Sequence, residues 1–462
     1  MAESADAVVV GARCAGTATA IALARTGRSV VALDRARFPS DTLSTHQLWP
    51  GGVAELKRLG ALERVEALGA PRLPEALAGW AGHEIRGTYT PVEGIDYGLC
   101  VRRPGLDAAL VETAREVGAE VHERCTASAL IRRGGRVAGV RYRDPEGGER
   151  EILAPLVVGA DGRRSLVARE VGSGDAVLES ANGRGCYFAY WHDAWPEWCR
   201  IAAQWRQGED LATAFPCDGG LVLVLLMPPV ARAPRFKGDL EAEYERTVAA
   251  IPELRARLEG CERRSKVRHT NSTASYFRRS SGPGWALPGD AGHFKDPITA
   301  QGIRDALRFG RLLGESAGPV LDDPNALDRA LQEWEGQRDL ECLETYQWTN
   351  RVARAEAMNP IEAELYRQAA SDPEVGRAMA DVFSRSVRPG ELLTARLLAR
   401  LTGRAMVRQG ADRGALLRVA ARELGGGIRD RLERLRMERR TSGGTGLRLR
   451  GGRGGRERRL GS

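Results

Sequence analysis

The chain has 462 residues, 42% of them hydrophobic, and a formal net charge of +8. That length holds two or three domains with ordinary cores and excludes a small stapled scaffold. Eight cysteines stand singly, with no Cys-x-x-Cys pair and no Cys/His cluster at zinc spacing, so neither a disulfide framework nor a metal is expected.

The charge is localised. From Arg429 to Ser462 twelve arginines face four acids, which leaves the rest of the chain neutral and makes nucleic acid an unexpected partner. This Arg/Gly-rich tail (429–462) is too poor in apolar residues to offset the entropy of ordering and reads as flexible; contact with RNA, membrane phosphates or an acidic partner is its alternative role. No secretory signal precedes the first strand and no apolar run reaches about eighteen residues, so a cytoplasmic protein without a membrane partner is expected.

In chain order, Ala7 to Val10 reads as a short buried strand, followed by the turn Gly11-Ala12-Arg13-Cys14-Ala15-Gly16 and a small-residue helix from Thr17 to Arg25. A second strand, Ser29 to Leu33, runs into Asp34 and Arg35. Strand, glycine turn, helix and acid in this order make a dinucleotide site. Gly11 permits the tight turn and Gly16 lets the helix approach the sheet. The helix amino terminus offers unpaired N–H groups to a pyrophosphate, and Asp34 accepts from ribose hydroxyls. Arg13 stands where the middle glycine is usual, which requires its side chain to turn outward.

Two later segments repeat the logic of an acid after a strand and before glycines. The strand Ala154 to Val158 leads into Gly159-Ala160-Asp161-Gly162, then Ser165 and a short helix. Trp285 to Pro288 leads into Gly289-Asp290-Ala291-Gly292-His293, then Pro297-Ile298-Thr299-Ala300-Gln301-Gly302-Ile303 and a helix from Arg304.

These three segments together resemble the single-component FAD monooxygenases typified by p-hydroxybenzoate hydroxylase, over about residues 5–350. The resemblance implies FAD as cofactor, with Gly11, Arg13, Ala15 and Gly16 at the pyrophosphate and Asp34 with Arg35 at the adenosine ribose. It places Asp161 and Gly162 near the pyrophosphate, and Asp290 at pyrophosphate or ribityl. Pro297, Gly302 and Ile303 lie against the flavin, and Arg103 at the start of its helix is a further FAD contact. His46, in Asp41-Thr42-Leu43-Ser44-Thr45-His46, faces flavin or substrate, or else bonds its own loop. Thr299 replaces the first glycine of the family's Pro-x-Gly-x-Gly-x-Asn pattern and Arg304 its asparagine.

No second glycine-rich dinucleotide turn follows a later strand, so NAD(P)H is expected to visit transiently. The resemblance implies that reduced flavin then reacts with dioxygen to a C4a-hydroperoxide, whose terminal oxygen passes to a small, electron-rich, aromatic or polyketide-like substrate. His46, His293 and Lys295 are the polar side chains nearby, and none is assigned an acid or base role. A geranylgeranyl-reductase-like enzyme that reduces a C=C bond, a flavin-dependent halogenase and a non-enzymatic flavin-binding protein are the alternatives. The halogenase motif Trp-x-Trp-x-Ile-Pro is missing.

The expected fold class is α/β: a Rossmann-type FAD-binding domain with a β-sheet substrate domain and a helical C-terminal region. The first is discontinuous (1–75, 101–175 and 276–345). The second comprises 76–100 and 176–275, where Gly185 to Trp191, Ile201 to Trp205 and Leu221 to Leu226 read as strands. Its aromatics Tyr187, Phe188, Tyr190, Trp191, Trp195, Trp198 and Trp205 divide between pocket and core. Apolar residues at helical spacing, punctuated by Pro360, Asp372-Pro373 and Pro389-Gly390, fill the third region (346–428), where a homodimer contact is left open.

Overall fold

The computed structural model describes residues 3–181, 183–392, 394–408 and 413–442. Its centre is a six-stranded sheet in the order Ser281–Gly282, Trp285–Ala286, Leu156–Gly159, Ala7–Val10, Val30–Asp34 and Glu120–Glu123. All neighbours are parallel except the first pair. Strands such as Ala-Val-Val-Val are apolar throughout because both sheet faces are covered.

One face carries helices Cys14–Arg25, Pro50–Arg58, Arg103–Glu116 and Gly302–Ala317 over a large apolar core. The other carries an antiparallel sheet built mainly from Thr126–Arg133, Arg136–Arg143 and Glu149–Leu153. Helices Cys14–Arg25 and Gly302–Ala317 pack closely because small residues face each other. A Cβ on Gly310 would lie 2.5 Å from the Ala15 carbonyl oxygen, and one on Gly314 would lie 2.5 Å from Ala22 Cβ. Both helices therefore bring their amino termini to the same edge of the sheet.

An eight-stranded sheet stands beside this unit, with Cys186–His192, Leu221–Met227, Asp210–Cys217, Ile201–Gln207, Glu75–Trp80 and His83–Thr88 as its main strands in spatial order. Side chains alternate between two buried faces. Cys186, Phe188, Tyr190, Leu223 and Leu225 look inward, whereas Tyr187, Ala189, Val222 and Val224 pack under the helices of residues 233–257.

The C-terminal region is helical, with Pro324–Val352, Pro360–Ser371, Pro373–Ser384, Ala395–Val407 and Arg413–Ser442. This corrects the expectation of flexibility from residue 429. Residues 429–442 continue a 30-residue helix because Asp430 pairs with Arg351 and Met437 is buried. Residues 443–462 lie outside the described ones. Among the described residues no helix is long and apolar enough to cross a membrane.

Candidate active site

The glycine turn forms as its residue types require. Gly11 has φ +99°, and a Cβ there would lie 2.5 Å from the Ala160 carbonyl oxygen on the neighbouring strand. A Cβ on Gly16 would lie 1.8 Å from the Gly11 carbonyl oxygen, so any side chain there would force the turn to shift. The helix that follows begins at Cys14 rather than Thr17, without a side-chain cap, so its amino-terminal N–H groups remain available to a ligand.

Arg13 does not fill the turn. Its guanidinium ion-pairs with Asp107 and donates to Ser40 Oγ at 2.8 Å. Arg103 holds the same carboxylate through Nε at 3.0 Å, and Asp107 itself is fully buried. The two arginines share one acid, which fixes both side chains beside the turn.

Asp34 accepts from the amides of Ala12 and Ala36, each at 2.8 Å. The acid thus braces the turn as well as bordering the cleft, and Arg35 beside it is exposed. Asp161 accepts from Leu166 N–H at 2.6 Å, while its Oδ1 is buried without a partner. Burial pushes this carboxyl up, against the amides and the Ser165 hydroxyl that lower it. Gly162 has φ +79°, and Ser165 caps the helix Leu166–Glu170.

Asp290 lies on the cleft wall, where no side-chain hydrogen bond engages its carboxylate among the described residues. Burial raises it, opposed by Arg163, Arg103 and Lys295. The turn Pro297 to Gln301 follows, stapled by Asp296 Oδ1, which accepts from Ile298 N–H at 3.0 Å. Left-handed backbone occurs at Ala300 (φ 51°), so Ala300 rather than Thr299 stands where the family's first glycine serves the turn. Helix Gly302–Ala317 starts two residues before Arg304.

Arg304 turns away into a buried chain of alternating charges. It pairs with Asp305 and Glu341, and Glu341 in turn with Arg308. Lys295 donates to Asp305 and to His293 Nε2. Burial alone would raise Asp305, but Lys295, Arg385 and Arg304 outweigh it and hold it well below the usual carboxylate range. His293, Asp305 and Cys342 lie close enough for a metal, yet the Lys295 ammonium already engages two of them. His293 is held neutral, mainly by burial.

These pieces meet in a cleft of about 620 Å³. Gly11, Arg13, Ala15, Asp34, Arg35, Arg103, Asp161, Gly162, Asp290, Pro297, Gly302 and Ile303 all line it, and Gly16 sits directly beneath the turn. His46 does not line it. Its backbone is left-handed (φ 60°), its ring is fully buried, and its Nε2 is bonded to the Tyr190 hydroxyl. Burial and the nearby Arg103, Arg268 and Arg102 lower its pKa to about 3.

Of the candidate aromatics, only Phe188 reaches the cleft; Tyr187 and Trp205 belong to the opposite, helix-covered face of the sheet. Sequence reading missed Arg163, Cys186, Leu225, Thr273 and Phe294, all on the wall. Arg163 and Phe294 directly follow the segments Gly159 to Gly162 and Gly289 to His293, the others come from strands and loops without a motif, and only strand alternation signals that Cys186 and Phe188 share a face.

The residues fit a dinucleotide. Two glycines form a cradle that a Cβ would fill, two helix amino termini converge on it, and beside them stand Asp161, whose Oδ1 is buried without a partner, and Asp290, whose carboxylate takes no side-chain hydrogen bond among the described residues. A parallel sheet with this site at its carboxyl edge defines a Rossmann-type flavoprotein. The chain belongs to the FAD binding domain family, whose model matches residues 4–318, and it is an FAD-dependent oxidoreductase.

It is 24% identical to squalene epoxidase 3 of Arabidopsis thaliana over 386 residues, covering 81% of this chain and 69% of that one. It is 30% identical to a menaquinone reductase of Mycolicibacterium smegmatis over 354 residues, covering 71% of this chain and 80% of that one. A flavoprotein/dehydrogenase from Cytophaga hutchinsonii shares the fold, with a TM-score of 0.75 at 18% identity over 87% of this chain and 99% of that one.

Proposed function

We propose that the protein is a monooxygenase that takes electrons from transiently bound NAD(P)H and places one atom of dioxygen on a small, electron-rich, largely apolar substrate. The observation that carries this reading is the end of the cleft beneath the eight-stranded sheet. Cys186, Phe188, Leu225 and Ala300 make an apolar wall there, beside the turn that enters helix Gly302–Ala317. The buried ionisable groups around it are already committed: His46 to Tyr190, and Lys295 to Asp305 and His293. His269, on the exposed rim, stacks on Tyr187.

FAD, when bound, supplies the two-electron chemistry and the reaction with dioxygen. The chain's residues hold and shield it. The Gly11 turn and its helix present N–H groups to phosphate, Asp34 and Asp290 accept from sugar or ribityl hydroxyls, and the amino terminus of helix Gly302–Ala317 favours negative charge beside it. The side chains of that wall, Cys186, Phe188, Leu225 and Ala300, offer no carboxylate or imidazole, which favours a substrate that is nucleophilic without losing a proton, as an alkene or electron-rich ring is.

A second reading, reduction of a C=C bond, is favoured by the 30% identity to a menaquinone reductase. One experiment separates them. The FAD-loaded protein is bleached anaerobically with NADPH, incubated with a polyene or phenol panel, and then exposed to air. A product heavier by one oxygen atom, formed only after air, supports the proposal. A product heavier by two hydrogens, formed before air, replaces it with the reductase reading, and no product from either step removes both.

A further inference from the structure

We propose that helix Arg413–Ser442 docks the protein onto an anionic membrane surface. Five of its large apolar side chains are exposed: Leu417 (57%), Leu424 (57%), Ile428 (64%), Leu432 (50%) and Leu435 (44%). Their spacing of seven, four, four and three residues puts them on one stripe of an α-helix. A row of exposed leucines and isoleucine this long is unusual on a surface exposed to water.

The charges on the helix are sorted around that stripe. Arg418, Arg429 and Arg436 recur along one flank, all exposed and without an ion pair among the described residues. Two of its acids are turned toward the protein: Asp430 pairs with Arg351, and Glu433 accepts from Gln347 at 3.0 Å, whereas Glu438 pairs with Arg434 on the helix itself. An apolar stripe edged on one flank by exposed arginines is the pattern that lies in a bilayer interface and gains from anionic headgroups. A second copy of the helix laid on the same stripe would bring the arginine rows together, so like-charge repulsion opposes a dimer.

The same helix also roofs an apolar cavity of about 530 Å³. Leu343, Trp348, Leu397 and Leu401 line it, and Gly427 and Asp430 belong to its wall. The cavity lies on the protein side of the helix, behind the exposed stripe. Contact is interfacial, since no described helix can cross a bilayer. The inference is independent of which reaction the flavin supports.

The test is co-sedimentation of the full-length, FAD-loaded protein with vesicles of phosphatidylcholine alone or mixed with phosphatidylglycerol. Binding is expected to the mixed vesicles and to weaken with salt. Leu424→Asp with Ile428→Asp should reduce the partition coefficient by at least about tenfold. Arg429→Gln and Arg436→Gln should each reduce it roughly fivefold, with the flavin spectrum unchanged in every variant. Three results would overturn the inference: no binding to anionic vesicles, binding that these variants leave intact, or a self-association lost in Leu424→Asp/Ile428→Asp without any vesicle binding.

Discussion

Arg13 reaches across to Asp107, ninety-four positions later in the chain, and forms an ion pair whose acid is fully buried. The pair explains how an arginine can occupy a position where a phosphate-binding turn ordinarily has glycine. The side chain is drawn off the turn by a carboxylate that Arg103 holds from the other side.

Asp107→Asn should therefore cost more than one hydrogen bond. It leaves two arginines sharing no counter-charge, and breaking a buried pair by removing one partner costs about 3–5 kcal/mol. Chemical denaturation of the apoprotein should show a loss of that order, with FAD affinity reduced as well because Arg13 is released toward the phosphate site. A stability change under about 1 kcal/mol would show that the pair is not what holds Arg13.

Gly16→Ala tests the cradle. Because the added Cβ would sit 1.8 Å from the Gly11 carbonyl oxygen, the turn must open. The expected result is a protein that keeps little FAD through gel filtration, with a stability loss of about 1–3 kcal/mol from overpacking. Gly162→Ala should be milder: nothing lies within 4 Å of its Cβ, and only its φ of +79° opposes the change.

Asp290→Ala separates cofactor binding from folding. The carboxylate is raised by burial and has no side-chain hydrogen bond among the described residues, so its removal should leave the apoprotein as stable as before or slightly more so. FAD affinity should fall by about 1.5–3 kcal/mol, the worth of hydrogen bonds to a charged group. Flavin fluorescence titration checks the affinity, and equal losses in both measurements would assign Asp290 to structure alone.

His46 gives the protein a defined acid sensitivity. Its folded pKa of about 3 lies below the ordinary 6.5, so the native state binds the proton less readily than the unfolded chain does. Its contribution is present above 6.5 and lost progressively as the pH falls toward 3. Replacing it by Asn, which also tolerates left-handed backbone, should flatten the stability profile across that window. A denaturation midpoint with the same pH slope in wild type and His46→Asn would show that another group sets it.

Much of the site was legible because its demands are local. A glycine at φ +99°, an acid at a strand end and a serine capping the next helix each follow from a few adjacent residues, so Gly11, Asp34, Asp161 and Ser165 could be read in order. His46 could not be placed that way. Its loop passes near the cleft, but its ring is captured by Tyr190 from a strand 144 positions away.

The sequence by itself determined the parallel core and the dinucleotide turn, since apolar strands, small helix faces and glycines at fixed offsets permit few other arrangements. Tertiary structure alone decided which charges neutralise one another. Arg13 with Asp107, Arg304 with Glu341 and Lys295 with Asp305 are matched between separate elements. It also decided that residues 429–442 are helical, through Asp430 on Arg351 and a buried Met437. Composition measures what a segment could bury alone, whereas a neighbouring helix supplies surface and counter-charge that no local window contains.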